Sequence, residues 1–281
     1  MKTALVTGAN KGIGLEVAKI LAQKGFFIYI GSRNLESGLA AVEKLKAKGI
    51  ENIEAIQLDV TDQESINTAH KTISEKSNVL DVLVNNAGVG YFGSFEESDL
   101  DEARNMFEIN VWGLTAMTRA VLPGMRARRS GHIVNISSVG GIAAFPALSF
   151  YNASKFAVEA LSESLSQEVA PLGIKVLIVE PGPFRTDWAG RSANQASSLI
   201  DDYKETAGAR TSTIRGYSGS QPGDPVRAAH AIVQIVEADQ PPLRLLLGKV
   251  ALTAARSKVA AMNKDFDGWS AVSESADFPQ P

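Results

Sequence analysis

The sequence predicts an α/β fold, a doubly wound, Rossmann-type parallel sheet of about seven strands with helices on both faces. Short apolar runs recur along the chain, and a stretch with helical patterning follows almost every one of them. These runs are continuously apolar rather than alternating, which is typical of strands buried on both faces. The 281 residues are 44% hydrophobic and 21% charged, so a large core is available. Because no repeat or linker divides them, we expect residues 1–281 to form one domain.

The first part of the chain supplies four of the predicted strands. They are the runs TALVT, FFIYIG, IEAIQLD and VLDVLVNNAG, which end at Thr7, Gly31, Asp59 and Gly88. Between them, helices are predicted over about residues 12–24 and 35–48, and from TDQE at 61–64 to about residue 76. TDQE places Thr61 three residues before Glu64, the spacing of a capping box.

The second part supplies three further strands, HIVNISS, IKVLIVEPG and PLRLLLG, the last at residues 242–248. A long helical stretch over about residues 100–128 precedes the first of them, with a kink predicted at Pro123. The helix that carries YNASK separates the first from the second. From about residue 248 the chain continues in a C-terminal extension.

Residues 187–225 interrupt the alternation of strands and helices, since they are rich in Ser, Ala, Gln, Gly and Thr and show only a weak helical signal near 199–206. The segment follows the sixth strand, at the edge where doubly wound sheets bind ligands. Long irregular insertions of this kind are often lids. We therefore expect a mobile lid over a substrate pocket, with a passive surface loop as the alternative.

Composition excludes several classes of function. A net charge of −3 gives no electrostatic footprint for nucleic acid or an anionic membrane. The absence of cysteine removes disulfides, thiolate metal sites and thiol nucleophiles, and the three histidines lack metal-ligand spacing, so no metal is expected. No apolar run approaches the roughly 18 residues that a membrane span needs. We expect a soluble, cytoplasmic protein that acts on a small molecule.

The segment TGANKGIG at residues 7–14 follows the first strand and opens the first helix. Gly8, Gly12 and Gly14 allow a tight turn there and a close approach of the backbone to a pyrophosphate. The N–H groups at the helix start would then face that phosphate, as the helix dipole favours. A dinucleotide site is therefore predicted, with a purely structural turn as the alternative.

The spacing G-x-x-x-G-x-G resembles the cofactor loop of the short-chain dehydrogenase/reductase family. Further motifs of that family follow in order and cover nearly the whole chain: NNAG at 85–88, NVWG from Asn110, NISS ending at Ser138, YNASK from Tyr151 and PGPFRT at 181–186. The resemblance implies an oxidoreductase that transfers a hydride between a nicotinamide and a carbonyl or secondary alcohol. The long C-terminal part is more loosely similar to the branch with steroid- and retinol-type reductases and microbial carbonyl reductases.

Charge after the second strand predicts NADP(H) as the cofactor. Where NAD-binding folds carry an acid for the ribose hydroxyl, this chain has Ser32 followed by Arg33. Arg33 offers a planar fork for a 2′-phosphate, and Lys11 is expected to face the same phosphate. Asp59 and Val60 are expected at the adenine. The predicted cofactor-binding residues are Gly8, Asn10, Lys11, Gly12, Ile13, Gly14, Ser32, Arg33, Asp59, Val60, Asn86, Ala87, Gly88, Tyr151, Lys155, Pro181, Gly182 and Thr186.

Tyr151 and Lys155 stand four residues apart, on one face of a helix. Such a pair alone is more often helix surface than chemistry, but here it comes with the other motifs. An ammonium about 4 Å from the phenol would lower the pKa of Tyr151 by up to about three units, toward the range for acid–base catalysis. By resemblance, Lys155 also binds the nicotinamide ribose, Ser138 donates to the substrate oxygen, and Asn110 holds a water that links Lys155 to solvent.

Apolar residues after the fourth, fifth and sixth strands predict a substrate with a hydrophobic body. They are Tyr91, Phe92, Ile142, Phe145, Leu148, Phe184 and Trp188, with Arg185 and Arg191 expected at the rim. Several of them could instead pack the core. In relatives, helices around Asn110 and Tyr151 form the subunit contact, which implies a homodimer or homotetramer.

Two other functions are compatible with a dinucleotide fold. One is an NADP(H)-binding sensor or scaffold without turnover, which the intact set Ser138, Tyr151 and Lys155 disfavours. The other is a nucleotide-sugar epimerase or dehydratase, whose glycine loop is spaced G-x-x-G-x-x-G and whose C-terminal domain is larger.

Overall fold

The computed structural model describes residues 1–77, 79–190 and 192–278. Its strands are β1 (Thr3–Thr7), β2 (Phe27–Ser32), β3 (Ile53–Gln57), β4 (Val82–Asn85), β5 (Gly90–Phe92), β6 (Gly131–Ile136), β7 (Ile174–Pro181), β8 (Ala193–Gln195) and β9 (Arg244–Leu247). Its α-helices are α1 (Gly12–Gln23), α2 (Leu35–Lys46), α3 (Gln63–Ser77), α4 (Leu100–Phe107), α5 (Leu114–Arg128), α6 (Ser149–Val169), α7 (Ala209–Gly216), α8 (Pro225–Glu237) and α9 (Lys249–Glu274).

Seven of these strands, within the described residues, form one sheet in the order β3-β2-β1-β4-β6-β7-β9, and all its neighbours are parallel. The chain reverses its direction of winding between β1 and β4, which lie side by side. In doubly wound sheets, ligands bind beyond the carboxyl ends of the strands at this switch point. The predicted fold class is confirmed.

Both faces of the sheet are covered by helices, which explains why its strands read as continuous apolar runs. In β1, Ala4 and Val6 pack into one core together with α1, α2 and α8. Leu5 points to the opposite face and packs into a second core with α3 and α5. Because both faces of β1 are covered by helices, all five of its residues are buried.

Two predicted boundaries are wrong in detail. The fourth strand ends at Asn85 rather than Gly88, because the chain then turns out of the sheet and the amide of Asn86 donates to the carbonyls of Thr7 and Gly8 at 2.9 and 3.1 Å. The capping box is also wrong. The carboxylate of Asp62 accepts from the amide of Glu64 at 2.9 Å, and the Thr61 hydroxyl donates instead to Asp59 at 2.7 Å.

The long helical stretch is irregular at Asn110 rather than at Pro123. A π-helical turn, Glu108–Gly113, joins α4 to α5, and Pro123 lies inside α5. At Gly113 the helix presses against Val60, since a Cβ there would lie 2.7 Å from Cγ2 of Val60. Turns of this type are frequent at functional sites.

The segment 187–225 has more structure than its composition predicts. It contains β8, which pairs with β5, a π-helical turn over Lys204–Gly208, and α7. The guanidinium of Arg215 fastens it from within by donating to the carbonyls of Ala189, Gly190 and Ala193 at 2.7 to 3.0 Å. Arg191 lies outside the described residues. That the segment opens as a lid stays a prediction.

Candidate active site

A cavity of about 880 Å³ lies beyond the carboxyl ends of β1, β2, β3, β4, β6 and β7. All predicted site residues line it except Gly14 and Asn110. Those that line it are Gly8, Asn10, Lys11, Gly12, Ile13, Ser32, Arg33, Asp59, Val60, Asn86, Ala87, Gly88, Ser138, Tyr151, Lys155, Pro181, Gly182 and Thr186. The cavity therefore joins the glycine loop at one end to Tyr151 at the other.

The loop before α1 is shaped to hold an anion. Gly8 and Gly12 have φ values of +61° and +64°, in the left-handed region that favours glycine. A Cβ on Gly8 would lie 2.9 Å from the Cα of Ala87. No side chain caps the start of α1 at Lys11, and its first turn carries no acidic residue. Its N–H groups and dipole are therefore left for a ligand, which fits a dinucleotide pyrophosphate.

Gly14 serves packing rather than the approach to a phosphate. It is buried behind the cavity wall, and a Cβ there would lie 2.3 Å from the side-chain nitrogen of Asn86. The hydroxyl of Thr7 fixes the same region by accepting from the backbone N–H groups of Asn86 and Ala87, both at 3.0 Å. Gly14 thus lets α1 lie against the turn after β4.

The other end of the loop carries the charges that bear on cofactor choice. Ser32 is buried and its hydroxyl donates to the carbonyl of Asn34 at 2.8 Å, whereas Arg33 is exposed at the cavity edge. Lys11 points toward the segment after β7. Its ammonium donates to the Ser192 hydroxyl at 3.0 Å and lies 3.6 Å from the carboxylate of Asp187. Arg33 is therefore the better placed of the two predicted phosphate-binding cations.

Tyr151, Ser138 and Lys155 lie together on one wall of the cavity. The ring of Tyr151, on α6, is buried with its centroid 4.9 Å from that of Trp188, and its hydroxyl hydrogen-bonds Ser138. The Ser138 hydroxyl also accepts from the N–H of Gly140 at 3.0 Å. One turn along α6, the ammonium of Lys155 donates to the carbonyl of Ile136 at 2.9 Å.

Burial, rather than the neighbouring lysine, dominates the acidity of Tyr151. It raises the pKa of Tyr151 to about 12, and the hydrogen bond with Ser138 offsets this only in part. Burial also lowers the pKa of Lys155 to about 8, against the attraction of Glu159. The ammonium lies 5.9 Å from the ring centroid of Tyr151, on the face of the ring. The prediction of an acidified phenol is wrong for the chain by itself, which keeps Tyr151 protonated at neutral pH.

Asn110 lies behind the wall and fixes its shape. Its side-chain oxygen accepts from the N–H of Val89 at 2.9 Å, and its nitrogen donates to the carbonyl of Val89 at 3.0 Å and to Ser154 at 3.2 Å. Gly88 makes room for Asn110, since a Cβ there would lie 3.2 Å from the side-chain oxygen of Asn110. The water that Asn110 is expected to hold stays a prediction.

Sequence reasoning missed a buried charge cluster behind Lys155. Glu180 is fully buried on β7, and the guanidinium of Arg244 lies 3.6 Å from it and 3.2 Å from Glu159. Arg244 also binds the exposed Glu163 at 2.6 Å. Burial, then the nearby Glu159, raises the pKa of Glu180 to about 8. A glutamate inside the apolar run IKVLIVEPG was the available signal.

Replacing Glu180 with glutamine is expected to flatten the dependence of stability on pH. The folded state raises the pKa of this carboxyl from 4.5 to about 8, so its contribution is complete below 4.5 and is lost as the pH rises to 8. Wild-type stability should fall across this window, by up to about 1.4 kcal/mol per pH unit, whereas glutamine has no proton to lose. Denaturant midpoints at both ends of the window measure this, with Glu163→Gln as control. Equal slopes for wild type and Glu180→Gln would contradict it.

The substrate side of the cavity differs from the prediction. Phe145, Leu148, Phe184 and Trp188 line the cavity as expected. Tyr91, Phe92 and Ile142 lie off the cavity wall, the first two in the apolar core beneath Tyr151. Arg185 binds the carbonyl of Gln221 at 3.1 Å instead of standing at the rim. Most of the residues that the 187–225 segment contributes to the lining were missed. They include Arg210 and Ile214 of α7 and Tyr217 directly after it, because weak patterning hid this helix.

Comparison with known proteins agrees with this architecture. The family model described as short chain dehydrogenase matches residues 2–197. A short-chain dehydrogenase from Streptomyces avermitilis superposes with a TM-score of 0.90 at 42% identity, over 98% of each chain. ElxO, solved with NADP bound, superposes with a TM-score of 0.75 at 30% identity, over 90% of this chain and 99% of its own. The 3-ketodihydrosphingosine reductase of Bacteroides thetaiotaomicron is 36% identical over 90% of this chain and 91% of its own.

Within the described residues, none of the helices combines the length and apolar character that crossing a bilayer requires. The same part of the chain holds no group of three or more His, Cys, Asp or Glu side chains arranged to bind a metal ion.

Proposed function

The chain belongs to the short-chain dehydrogenase/reductase family and is an oxidoreductase, and we propose that it is an NADP(H)-dependent carbonyl reductase. The observation that carries this proposal is the placement of Ser138, Tyr151 and Lys155 on one wall of a cavity whose other end is the glycine loop. A bound dinucleotide would supply the hydride. Its pyrophosphate would be held by the loop at Gly8 and Gly12.

Tyr151 is the proton donor in this proposal. Reduction of a carbonyl leaves charge on its oxygen, and a phenol kept protonated by burial is in the right state to donate to it. Ser138, already hydrogen-bonded to Tyr151, would donate to the same oxygen and hold it beside the phenol. Lys155 would place its positive charge under the ring and bind the nicotinamide ribose. Asn110 would order the backbone at Val89 and a water that leads to Lys155.

NADP(H) is preferred over NAD(H) on grounds of charge. Neither Ser32 nor Arg33 is acidic, so no carboxylate at these two positions repels a 2′-phosphate, and the exposed guanidinium of Arg33 lies at the cavity edge where it would bind one. ElxO, the relative whose structure contains NADP, shows that this fold can hold that cofactor. Asp59 and Val60 would contact the adenine, and Thr186 with Pro181 and Gly182 the nicotinamide half.

A ketone or secondary alcohol with an apolar body is the proposed substrate. Phe145, Leu148, Trp188 and Ile214 line the cavity and belong to the apolar cluster that contains the Tyr151 ring. The relative from Bacteroides thetaiotaomicron is named as a 3-ketodihydrosphingosine reductase, which supports a ketone as the reducible group. The segment 187–225 would close over this end as a lid, latched by Lys11 on Ser192 and Asp187.

The proposed assembly is a homodimer or homotetramer of a cytoplasmic enzyme. Large apolar side chains are exposed on the helices around Asn110 and Tyr151: Trp112, Phe156 and Leu161. A subunit contact through these helices would cover the exposed apolar side chains.

Loss of NADPH absorbance with a panel of ketones tests the function. Ketone-dependent oxidation of NADPH would support the reductase. Tight binding of NADPH without turnover would support a sensor, and rearrangement of a nucleotide sugar without net oxidation would support an epimerase. Either of the last two results would overturn the proposal.

A further inference from the structure

Two arginines of α7 are used in different ways. Arg215 donates to three backbone carbonyls of its own segment. Arg210 lines the cavity, and its Nε is buried without a hydrogen-bond partner. Within the described residues, no carboxylate lies within ion-pair distance of Arg210, and its guanidinium stacks on Phe145, 5.2 Å from the ring centroid. Arg215 holds its own segment together through these hydrogen bonds, whereas Arg210 has a buried donor atom that no described residue pairs.

Arg210 stands at the substrate end of the cavity. Phe145, beneath its guanidinium, packs in the same apolar cluster as Tyr151. The cations Lys11 and Arg33 belong to the loop and to the end of β2, at the cofactor end. Among the described residues, the 187–225 segment contributes one other charged residue to the cavity wall, Asp187. Its carboxylate already lies 3.6 Å from the ammonium of Lys11.

A buried N–H without an acceptor is costly, so native proteins rarely leave one unless a ligand or an ordered water supplies the acceptor. The planar guanidinium matches a carboxylate in two parallel hydrogen bonds, and apolar surroundings strengthen them. One arginine at this end balances a single negative charge. Resting on the proposed function, we propose that Arg210 binds a carboxylate of the substrate, so that the carbonyl compounds reduced here are keto acids with an apolar body.

The test compares ω-keto carboxylates of increasing chain length with their methyl esters, which keep the ketone but lose the charge. Wild-type enzyme is expected to prefer the acid by about 10-fold or more in kcat/KM. In Arg210→Met this preference should fall to near one, and Arg210→Lys should keep part of it, since it retains the charge without the fork. Arg227→Met, at an exposed arginine of α8, is the control and should keep the preference.

Three results would count against the carboxylate site. They are equal use of acid and ester by the wild type, a preference for the ester, and a preference that survives in Arg210→Met. If no ketone is reduced at all, the proposed function fails, and thermal stabilisation by the same carboxylates then decides the site. Stabilisation of wild type but not of Arg210→Met would support it, and equal behaviour of both would overturn it.

A second inference rests on α9, independently of the first. Ala251 and Ala255 bury the start of this helix against the body, and from residue 256 to 274 the helix is exposed. An apolar stripe continues the buried face at alternating spacings of four and three residues, as in a coiled-coil seam. Its members, 38% to 67% exposed, are Val259, Met262, Phe266 and Trp269.

The charges of α9 are separated along its length. All the basic residues come first, and all the acidic residues come last: Lys249, Arg256, Lys258 and Lys264, then Asp265, Asp267 and Glu274. This order opposes the helix dipole, which favours acids at the start and bases at the end. An antiparallel copy of the same helix would place each basic half against an acidic half.

We infer that α9 pairs antiparallel with α9 of a second copy of this chain, about a two-fold axis. The apolar stripe of one copy would pack against the same stripe of the other copy, as an isologous contact requires. The exposed 19 residues extend about 28 Å, long enough for a coiled-coil contact. This contact is separate from the one proposed around Trp112, so the two together would make a tetramer.

Charge reversal in the full chain tests this pairing. One variant carries Arg256→Glu, Lys258→Glu and Lys264→Glu, and the other carries Asp265→Lys, Asp267→Lys and Glu274→Lys. Each alone is expected to form an assembly of half as many copies as the wild type, by native mass spectrometry. An equal mixture should restore the wild-type number, with both variants in each assembly. Unchanged assemblies of the single variants, or a mixture that does not restore the number, would overturn the inference.

Discussion

Replacing Tyr151 with phenylalanine is expected to lower kcat for NADPH-dependent ketone reduction by about 10²- to 10⁴-fold, the usual contribution of a positioned general acid. The substitution removes one oxygen and keeps the ring against Trp188. Ser138 then remains beside the carbonyl oxygen, but the group that would transfer a proton to this oxygen is gone. Steady-state rates with saturating ketone, compared between wild type and Tyr151→Phe, measure the effect.

Tyr203→Phe is the matched control, because it removes the same oxygen from a half-buried tyrosine outside the cavity, whose hydroxyl donates to Glu96 at 2.8 Å. We expect wild-type rates from it. A Tyr151→Phe enzyme that melts like wild type and still reduces ketones at the wild-type rate would remove Tyr151 from the mechanism, and with it the proposed function.

The pH profile of reduction should report Lys155 rather than Tyr151. The phenol, with its pKa raised to about 12, keeps its proton throughout the neutral range. The ammonium of Lys155, with its pKa lowered to about 8, loses its charge as the pH passes that value. Its support for a developing phenolate is therefore present below pH 8 and lost above it.

The parts of the site that lie close in sequence could be predicted from it. In YNASK a helical repeat of 3.6 residues puts Tyr151 and Lys155 on one face, whatever the rest of the chain does. In TGANKGIG a strand, a turn and a helix follow one another within a few residues, and this context makes Gly8 and Gly12 a sign of a phosphate loop. These predictions rest on local geometry, and the structure places both motifs on the cavity wall.

What could not be predicted depends on contacts between distant segments. The pKa of Tyr151 follows from burial under Trp188, which comes from beyond the next strand. The need for glycine at position 14 comes from Asn86, on another strand's turn. Arg210 was hidden because α7 is short and follows a π-helical turn, so no apolar period marks it. In each case the residue itself could be read from the sequence, but the distant residues that surround it in the fold could not.

Replacing Arg33 with aspartate is expected to lower the ratio of kcat/KM with NADPH to kcat/KM with NADH by about 10-fold or more. A charge-assisted hydrogen bond to the 2′-phosphate contributes about 1.5–3 kcal/mol, and the new carboxylate would also repel the phosphate while accepting from the free ribose hydroxyl of NADH. Both effects lower the ratio, so the ratio is expected to change more than kcat/KM with either cofactor alone.

Lys48→Asp makes the same change of charge at an exposed residue outside the cavity, and should leave the ratio as it is. Lys11→Met separates the two predicted phosphate-binding cations. Because Lys11 is engaged by Ser192 and Asp187, we expect it to change the ratio less than Arg33→Asp does. A ratio that Arg33→Asp does not move would show that the 2′-phosphate lies elsewhere. A larger effect at Lys11 would assign the phosphate to the glycine loop, and the contact with Ser192 would then belong to a state without cofactor.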